Sequence, residues 1–179
     1  MDARAANPAV QTATLAVWVA CIDAAARRWM PRGVDCLVGH SFGGLASAFA
    51  TTSPSWSREA AVDARRLVLL STPSGMDDVI ASYARQSSCS VAEVEAIRAG
   101  VEAVLKGPVS LGSLESVAPA LPPLLAFHDP RDEIAPYETL ARALARGANA
   151  TLVAAPEATH HGIVALRSVL RRVAAFATG

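Results

Sequence analysis

The residues that could do chemistry begin at Gly39-His40-Ser41-Phe42-Gly43, a G-x-S-x-G pentapeptide that ends one apolar run and opens a run of small, helix-forming residues. A serine on a sharp strand-to-helix turn lifts its hydroxyl clear of the backbone, which is what a nucleophile requires. Such a turn needs small neighbours where strand and helix approach, and Gly39, Gly43 and Gly44 supply them. The pentapeptide alone is weak evidence, because glycine and serine meet in many ordinary turns. Its setting, with a strand before it and a helix after it, makes Ser41 a candidate nucleophile.

A serine hydroxyl attacks poorly near neutral pH, so a base must take its proton and a third group must fix the base's tautomer. Four histidines are available: His40, His128, His160 and His161. His40 lies inside the turn with its side chain directed away from that of Ser41, and reads as structural. His128 ends an apolar run and reads as a packing or hydrogen-bonding residue. His160 and His161 follow the last such run, in a short loop that would overhang the strand ends; His160 is preferred as the base, with His161 as the alternative. The acid is sought in "HDPRDEIAPYE", residues 128–138, where Asp129, Asp132 and Glu133 are all present. A solvated turn is the plain reading of such a stretch. Asp132 is preferred because Ser41, Asp132 and His160 follow one another in the chain order that sheet-borne triads of the G-x-S-x-G kind adopt.

The elements that must position these groups alternate along the chain. Short apolar strands are expected at 34–39, 67–71, 124–128 and 150–155, and helices at 43–52, 136–146 and 163–176. Near-continuous apolar strands separated by helices predict a parallel sheet covered on both faces, hence an α/β fold with functional groups at the carboxyl ends of the strands. The connection over residues 73–122 is longer than a crossover needs. Within it residues 90–106 read as a helix, opened by the capping box Ser90-Val-Ala-Glu93 and carrying a stripe of Val91, Val94, Ile97, Val101, Val104 and Leu105. It is expected to form a helical lid inserted in a single domain spanning residues 1–179.

Composition narrows the function classes. Of 179 residues, 52% are hydrophobic, enough for a real core, and sixteen basic residues balance sixteen acidic ones. The basic residues are scattered, so no stripe exists to neutralise a run of phosphates, and nucleic acid is excluded as a partner. Cys21, Cys36 and Cys89 are odd in number and lack CxxC spacing, which reads as buried small hydrophobes in a reducing compartment. Residues 5–22 carry no charge but are diluted by Asn7, Pro8, Gln11, Thr12 and Thr14, so neither a membrane span nor a signal peptide is expected. An amphipathic helix fits better, with Val10, Val17, Trp18, Cys21, Ile22, Ala25 and Trp29 on one face, Asn7-Pro8 as its start, and Pro31 and Gly33 as its stop. A cytoplasmic location follows. No phosphate-cradling glycine pattern, metal-ligand cluster or nicotinamide fingerprint is visible, so no cofactor and no metal is assigned.

"VGHSFGG", "HDPRDEIAPYE" and "ATHHGI" resemble the nucleophile elbow, acid loop and histidine loop of the α/β-hydrolase fold superfamily, in particular its small bacterial esterase and lipase-like members. Where that family's acid loop commonly has Gly-x-x-Asp-x-x-Val-Pro, Asp132 and Pro136 match, while Asp129 and Ala135 replace the glycine and the valine. Thr159 stands where a glycine usually precedes the histidine. The resemblance implies a serine hydrolase of a small ester, thioester or related acyl compound, with Ser41 attacking, His160 shuttling the proton, Asp132 orienting His160 and the backbone N–H of Phe42 receiving the oxyanion. Family members carry several strands and an oxyanion loop ahead of the elbow, and only one helix fits before Ser41 here. Two expectations follow from this: an alternative as a truncated, catalytically silent remnant or pseudoenzyme, and self-association through an exposed sheet edge at residues 34–39.

Overall fold

The computed structural model describes residues 14–179. Among the described residues four strands form one parallel sheet in the order β1-β2-β3-β4: β1 Leu37–His40, β2 Leu67–Leu70, β3 Leu124–His128 and β4 Ala150–Ala154. The register pairs Gly39 with Leu69, Leu69 with Ala126, and Ala126 with Leu152. β2 and β3 are buried along their whole length, as continuous apolar runs require, while β1 and β4 form the edges and are partly exposed. The first strand is shorter than its apolar run, because Val34 makes only an isolated bridge to Ala64 before pairing resumes at Leu37.

Side-chain alternation along the central strands divides the core between two faces. Leu67, Leu69, Leu124 and Ala126 join one cluster with Leu45 and Phe49 of α2 (Phe42–Ala50), Val19 of α1 (Leu15–Trp29) and Leu140 of α5 (Tyr137–Leu144). Val68, Leu70, Leu125 and Phe127 face the other way, against Ile163 and Val169 of the last helix, α6 (Arg167–Thr178). The long connection holds α3 (Met76–Gln86), α4 (Val91–Leu105) and three 3-10 turns. Its capping box is formed: Ser90 Oγ accepts from the Glu93 N–H at 3.4 Å, and the Glu93 carboxylate accepts from the Ser90 N–H at 2.8 Å.

Three expectations are corrected. On α1 the buried residues are Leu15, Val19 and Asp23, whereas Val17, Trp18, Cys21 and Trp29 of the expected stripe are exposed. The cause is Asp23, which a hydropathy pattern assigns to solvent but which turns inward with both carboxylate oxygens on Arg27 Nε, at 2.9 and 2.8 Å. The expected helix start at Asn7-Pro8, and Val10, lie outside the described residues; Thr14 caps the observed helix by accepting from the Val17 N–H. Val91 projects into solvent at 81% exposure, so the α4 stripe packs only through Val94, Ile97, Val101 and Leu105. The cysteines are free but not fully buried: Cys21 is exposed, and Cys36 and Cys89 are intermediate. Among the described residues no helix is long and apolar enough to cross a membrane.

Candidate active site

Ser41 joins β1 to α2 with φ of 53° and ψ of −130°, a left-handed-side backbone that a side chain bearing a Cβ adopts only under constraint. The constraint is supplied from both sides: its N–H donates to the Leu70 carbonyl at 2.9 Å, and its carbonyl accepts from the Gly44 N–H at 2.9 Å. Two glycines allow helix and sheet to meet there. A Cβ on Gly39 would lie 2.5 Å from the Gly44 Cα, and one on Gly44 would lie 2.0 Å from Thr72 Oγ1. Gly43 does not share this need, since a Cβ there meets only Trp18 at an ordinary 3.6 Å. The requirement for small residues therefore falls on Gly39 and Gly44, on the face turned to the sheet.

His160 sits in the loop after β4 and Asp132 in the loop after β3, both at the carboxyl end of the sheet. His160 Nε2 lies 2.9 Å from Ser41 Oγ, and His160 Nδ1 lies 2.7 Å from Asp132 Oδ2. The fold thus brings the three preferred residues into one continuous hydrogen-bonded chain. With Nδ1 donating to the carboxylate, Nε2 is left with its lone pair toward the serine. Burial pushes the His160 imidazole below its ordinary range, against the opposing pull of Asp132. The shift favours the neutral imidazole, the form that can accept a proton. Asp132 Oδ1 accepts from the N–H groups of Ile134 and Ala135 at 2.9 and 3.0 Å, which fixes the carboxylate plane.

The remaining candidates take other positions. Asp129 turns toward the histidine loop, its Oδ1 accepting from the Arg131 N–H at 2.9 Å and its Oδ2 from the Thr159 N–H at 3.0 Å. It thereby ties the segment carrying His160 to the segment carrying Asp132, a contact the sequence did not reveal. Glu133 offers only its carbonyl to Arg85 of α3. His128 is fully buried, with Nε2 2.7 Å from the Ala135 carbonyl and 3.4 Å from Asp132 Oδ2, so it braces the loop that carries Asp132. His40 Nε2 donates to the His160 carbonyl at 2.8 Å and anchors the loop carrying His160 to β1. His161 is exposed, with its ring centroid 4.9 Å from that of His160.

A cavity of about 200 Å³ opens beside Ser41 Oγ, walled by Phe42, Pro73, Ile134, Ala135 and, from α3, Val79, Ser82, Tyr83 and Gln86. Its wall is chiefly apolar, with a few polar side chains reaching in. Phe42 begins α2, where the first-turn N–H groups have no partner within the helix. Its ring meets Trp18 edge to face at 5.6 Å, so α1 backs one side of the turn at Ser41. His40, His160 and His161 also approach one another: one ring nitrogen from each lies within 4.8 Å of the others. Linear spacing could not reveal this grouping, since His40 precedes the pair by 120 positions.

No protein-family profile matches the sequence, and no curated protein does. Solved structures do match. A hydrolase from Pseudomonas aeruginosa superposes with a TM-score of 0.59 at 21% identity, over 91% of this chain and 71% of that one. An esterase from Pyrococcus furiosus gives 0.60 at 16% identity, over 88% of this chain and 59% of that one. An esterase from the planctomycete Thermogutta terrifontis gives 0.59 at 17% identity, over 90% of this chain and 63% of that one. The chain therefore spans between 59% and 71% of the length of these three structures. A parallel sheet covered by helices, a serine on the sharp turn between β1 and α2 and superposition over about nine-tenths of the chain lead to one conclusion: this protein has the α/β-hydrolase fold.

Proposed function

We propose that the protein is a serine hydrolase acting on a small ester, thioester or related acyl substrate. The observation that carries this reading is the unbroken chain from Asp132 Oδ2 through His160 to Ser41 Oγ, with contacts of 2.7 and 2.9 Å, at the mouth of the apolar cavity. Ser41 attacks the acyl carbonyl as His160 Nε2 takes its proton. Asp132 stabilises the imidazolium without itself being protonated. The tetrahedral oxyanion is received by the Phe42 N–H at the start of α2, where the helix dipole also favours negative charge. His160 then returns its proton to the leaving group, and water repeats the sequence on the acyl-enzyme. Phe42 is one donor. A single oxyanion-hole donor is worth roughly 2.7–4 kcal/mol, so turnover with Phe42 alone would be about a hundred- to a thousandfold slower than with two donors.

Residues 73–122 act in this reading as a lid, because α3 supplies four of the cavity's lining residues and Arg85 hydrogen-bonds to the Glu133 carbonyl in the acid loop. The edge position of β1 supports self-association as well. Leu37 and Ser41 donate toward β2, and strand alternation then directs the N–H and C=O groups of Val38 and His40 outward, beside a Val38 side chain that is 47% exposed.

Labelling with a fluorophosphonate probe tests the catalytic reading. The wild-type chain reacts at one site and Ser41→Ala does not. Equal labelling of the two, or no labelling of either, favours instead a catalytically silent protein that keeps the motif residues without their activity.

A further inference from the structure

We propose that His40, His160 and His161 form a binding site for a zinc-class divalent cation, and that its occupation silences Ser41. Three imidazoles, each able to present one ring nitrogen within 4.8 Å of the others, converge where the base loop crosses the end of β1. Ring centroids lie 5.4 Å apart for His40 and His160, 4.9 Å for His160 and His161, and 6.0 Å for His40 and His161.

Two of the three rings already make the outer hydrogen bond that metal-ligating histidines make. A ligating histidine donates its outer N–H to a carboxylate or a backbone carbonyl, which fixes its tautomer and raises its basicity. His160 does so through Nδ1 to Asp132 at 2.7 Å, and His40 through Nε2 to the His160 carbonyl at 2.8 Å. Each is left with one lone pair, on Nε2 of His160 and on Nδ1 of His40. His161 is exposed, so its ring can turn without disturbing the core. Tetrahedral zinc with bonds of 2.0–2.1 Å needs ligand nitrogens about 3.3 Å apart, so the cluster must contract by up to roughly 1.5 Å. Nitrogen-only ligation selects zinc, copper or nickel over magnesium or calcium. Three protein ligands leave a fourth position for water.

The consequence for Ser41 follows from a single electron pair. His160 Nε2 is the atom 2.9 Å from Ser41 Oγ, and a lone pair given to a cation cannot accept the serine's proton. Binding of the metal stands on the histidines alone, whereas silencing rests on the hydrolase reading, so the two are measured separately.

Equilibrium dialysis of the chelator-stripped chain against zinc chloride measures binding, and fluorophosphonate labelling with and without zinc measures silencing. The expected result is one zinc per chain, bound at least tenfold more weakly by His161→Gln and with unchanged affinity by Ser41→Ala. Labelling of the wild type should slow in zinc and recover with chelator, while labelling of His161→Gln, measured against that variant's own metal-free rate, is slowed at least tenfold less by the same zinc concentration. Comparison with His161→Gln also discounts zinc held by the three cysteines. Equal zinc affinity of wild type and His161→Gln overturns the site, and zinc saturation with an unchanged labelling rate overturns the placement on His160. If the metal-free wild type does not label at all, the hydrolase reading fails while dialysis still decides the site.

Discussion

Gly44 is the point at which the elbow's geometry can be tested with the fewest atoms. A methyl group at this position would lie 2.0 Å from Thr72 Oγ1, 3.0 Å from its Cγ2 and 3.1 Å from its Cβ. Neither side can yield easily. Gly44 is buried in the first turn of α2, and Thr72 is fully buried just after β2, with Oγ1 on the Leu70 carbonyl at 3.3 Å. Overpacking a close-packed site costs typically 1–3 kcal/mol, and two nearly immobile partners place Gly44→Ala at about 3 kcal/mol. For a chain of this size that lowers the melting temperature by about 6–12 °C. Because α2 must move away from the sheet, Ser41 Oγ moves from His160 and probe labelling slows too.

Thr72→Ala provides the control. Alone it loses one hydrogen bond and a methyl group, a cost of about 1–2 kcal/mol. In the double variant Gly44→Ala/Thr72→Ala the two worst contacts vanish, leaving only the Cβ approach at 3.1 Å, which a shift of a few tenths of an ångström relieves. The two substitutions should therefore couple favourably by about 2 kcal/mol, within the range found for residues in direct contact. Thermal melts followed by circular dichroism give the cycle, with labelling of Ser41 as the second readout. A Gly44→Ala chain melting within about 1 °C of wild type, or a double variant no more stable than the sum of the singles, would refute the close approach of α2 to the end of β2.

Labelling measured with chelator present should rise with pH to a plateau, with an apparent pKa below the ordinary imidazole value of about 6.5, because burial disfavours the protonated form of His160. The stability sign is fixed by the same shift: just below 6.5 the unfolded chain takes up a proton that folded His160 refuses, so this group's contribution falls as pH falls, and an apparent pKa above 7 would contradict both. Asp129→Asn leaves one of the Arg131 and Thr159 N–H groups facing an amide NH₂; a loss of about 1.5–3 kcal/mol and slower labelling are expected, and a melting point within about 1 °C of wild type would count against the tether. Val38→Lys places a charge on the exposed edge strand, and sedimentation should shift from associated species toward monomer; identical profiles before and after substitution would remove β1 as the interface.

How much of this arrangement was legible in the sequence depends on which residues act locally. The parallel sheet followed from the apolar runs at Leu67–Leu70 and Leu124–His128, where burial on both faces leaves no alternation to misread. Ser41, Asp132 and His160 could be placed as neighbours because each lies just past a strand end, and parallel strands bring such ends to one rim. The packed face of α1 was not legible. Its stripe was assigned by hydropathy, whereas the fold buries Asp23 by pairing it with Arg27 and leaves Trp29 73% exposed. Nor could the histidine cluster be read, since it depends on a contact between β1 and the loop after β4, two strands at opposite edges of the sheet. Asp129 looked like one of several interchangeable carboxylates until its two oxygens were seen to accept from separate segments.

The backbone supplies a reason why these groups gather at one rim. Ser41 at the end of β1, Ser71 at the end of β2 and Thr159 in the loop after β4 all have positive φ, at 53°, 43° and 55°. A side-chain-bearing residue held there costs of order 1–3 kcal/mol, and a glycine at any of the three would relieve it. The surroundings hold the strain in place instead: Ser41 by Leu70 and Gly44, Ser71 through its N–H on the Phe127 carbonyl, and Thr159 through its N–H on Asp129. At Ser41 the strained position carries a hydroxyl that a glycine would lack. At Thr159 the hydroxyl accepts from the Gly162 N–H at 3.0 Å, so the residue that strains the loop also closes it behind His160. The rigid central strands thus offset distortion at their carboxyl ends, and that distortion aims a hydroxyl and an imidazole at one another across 2.9 Å.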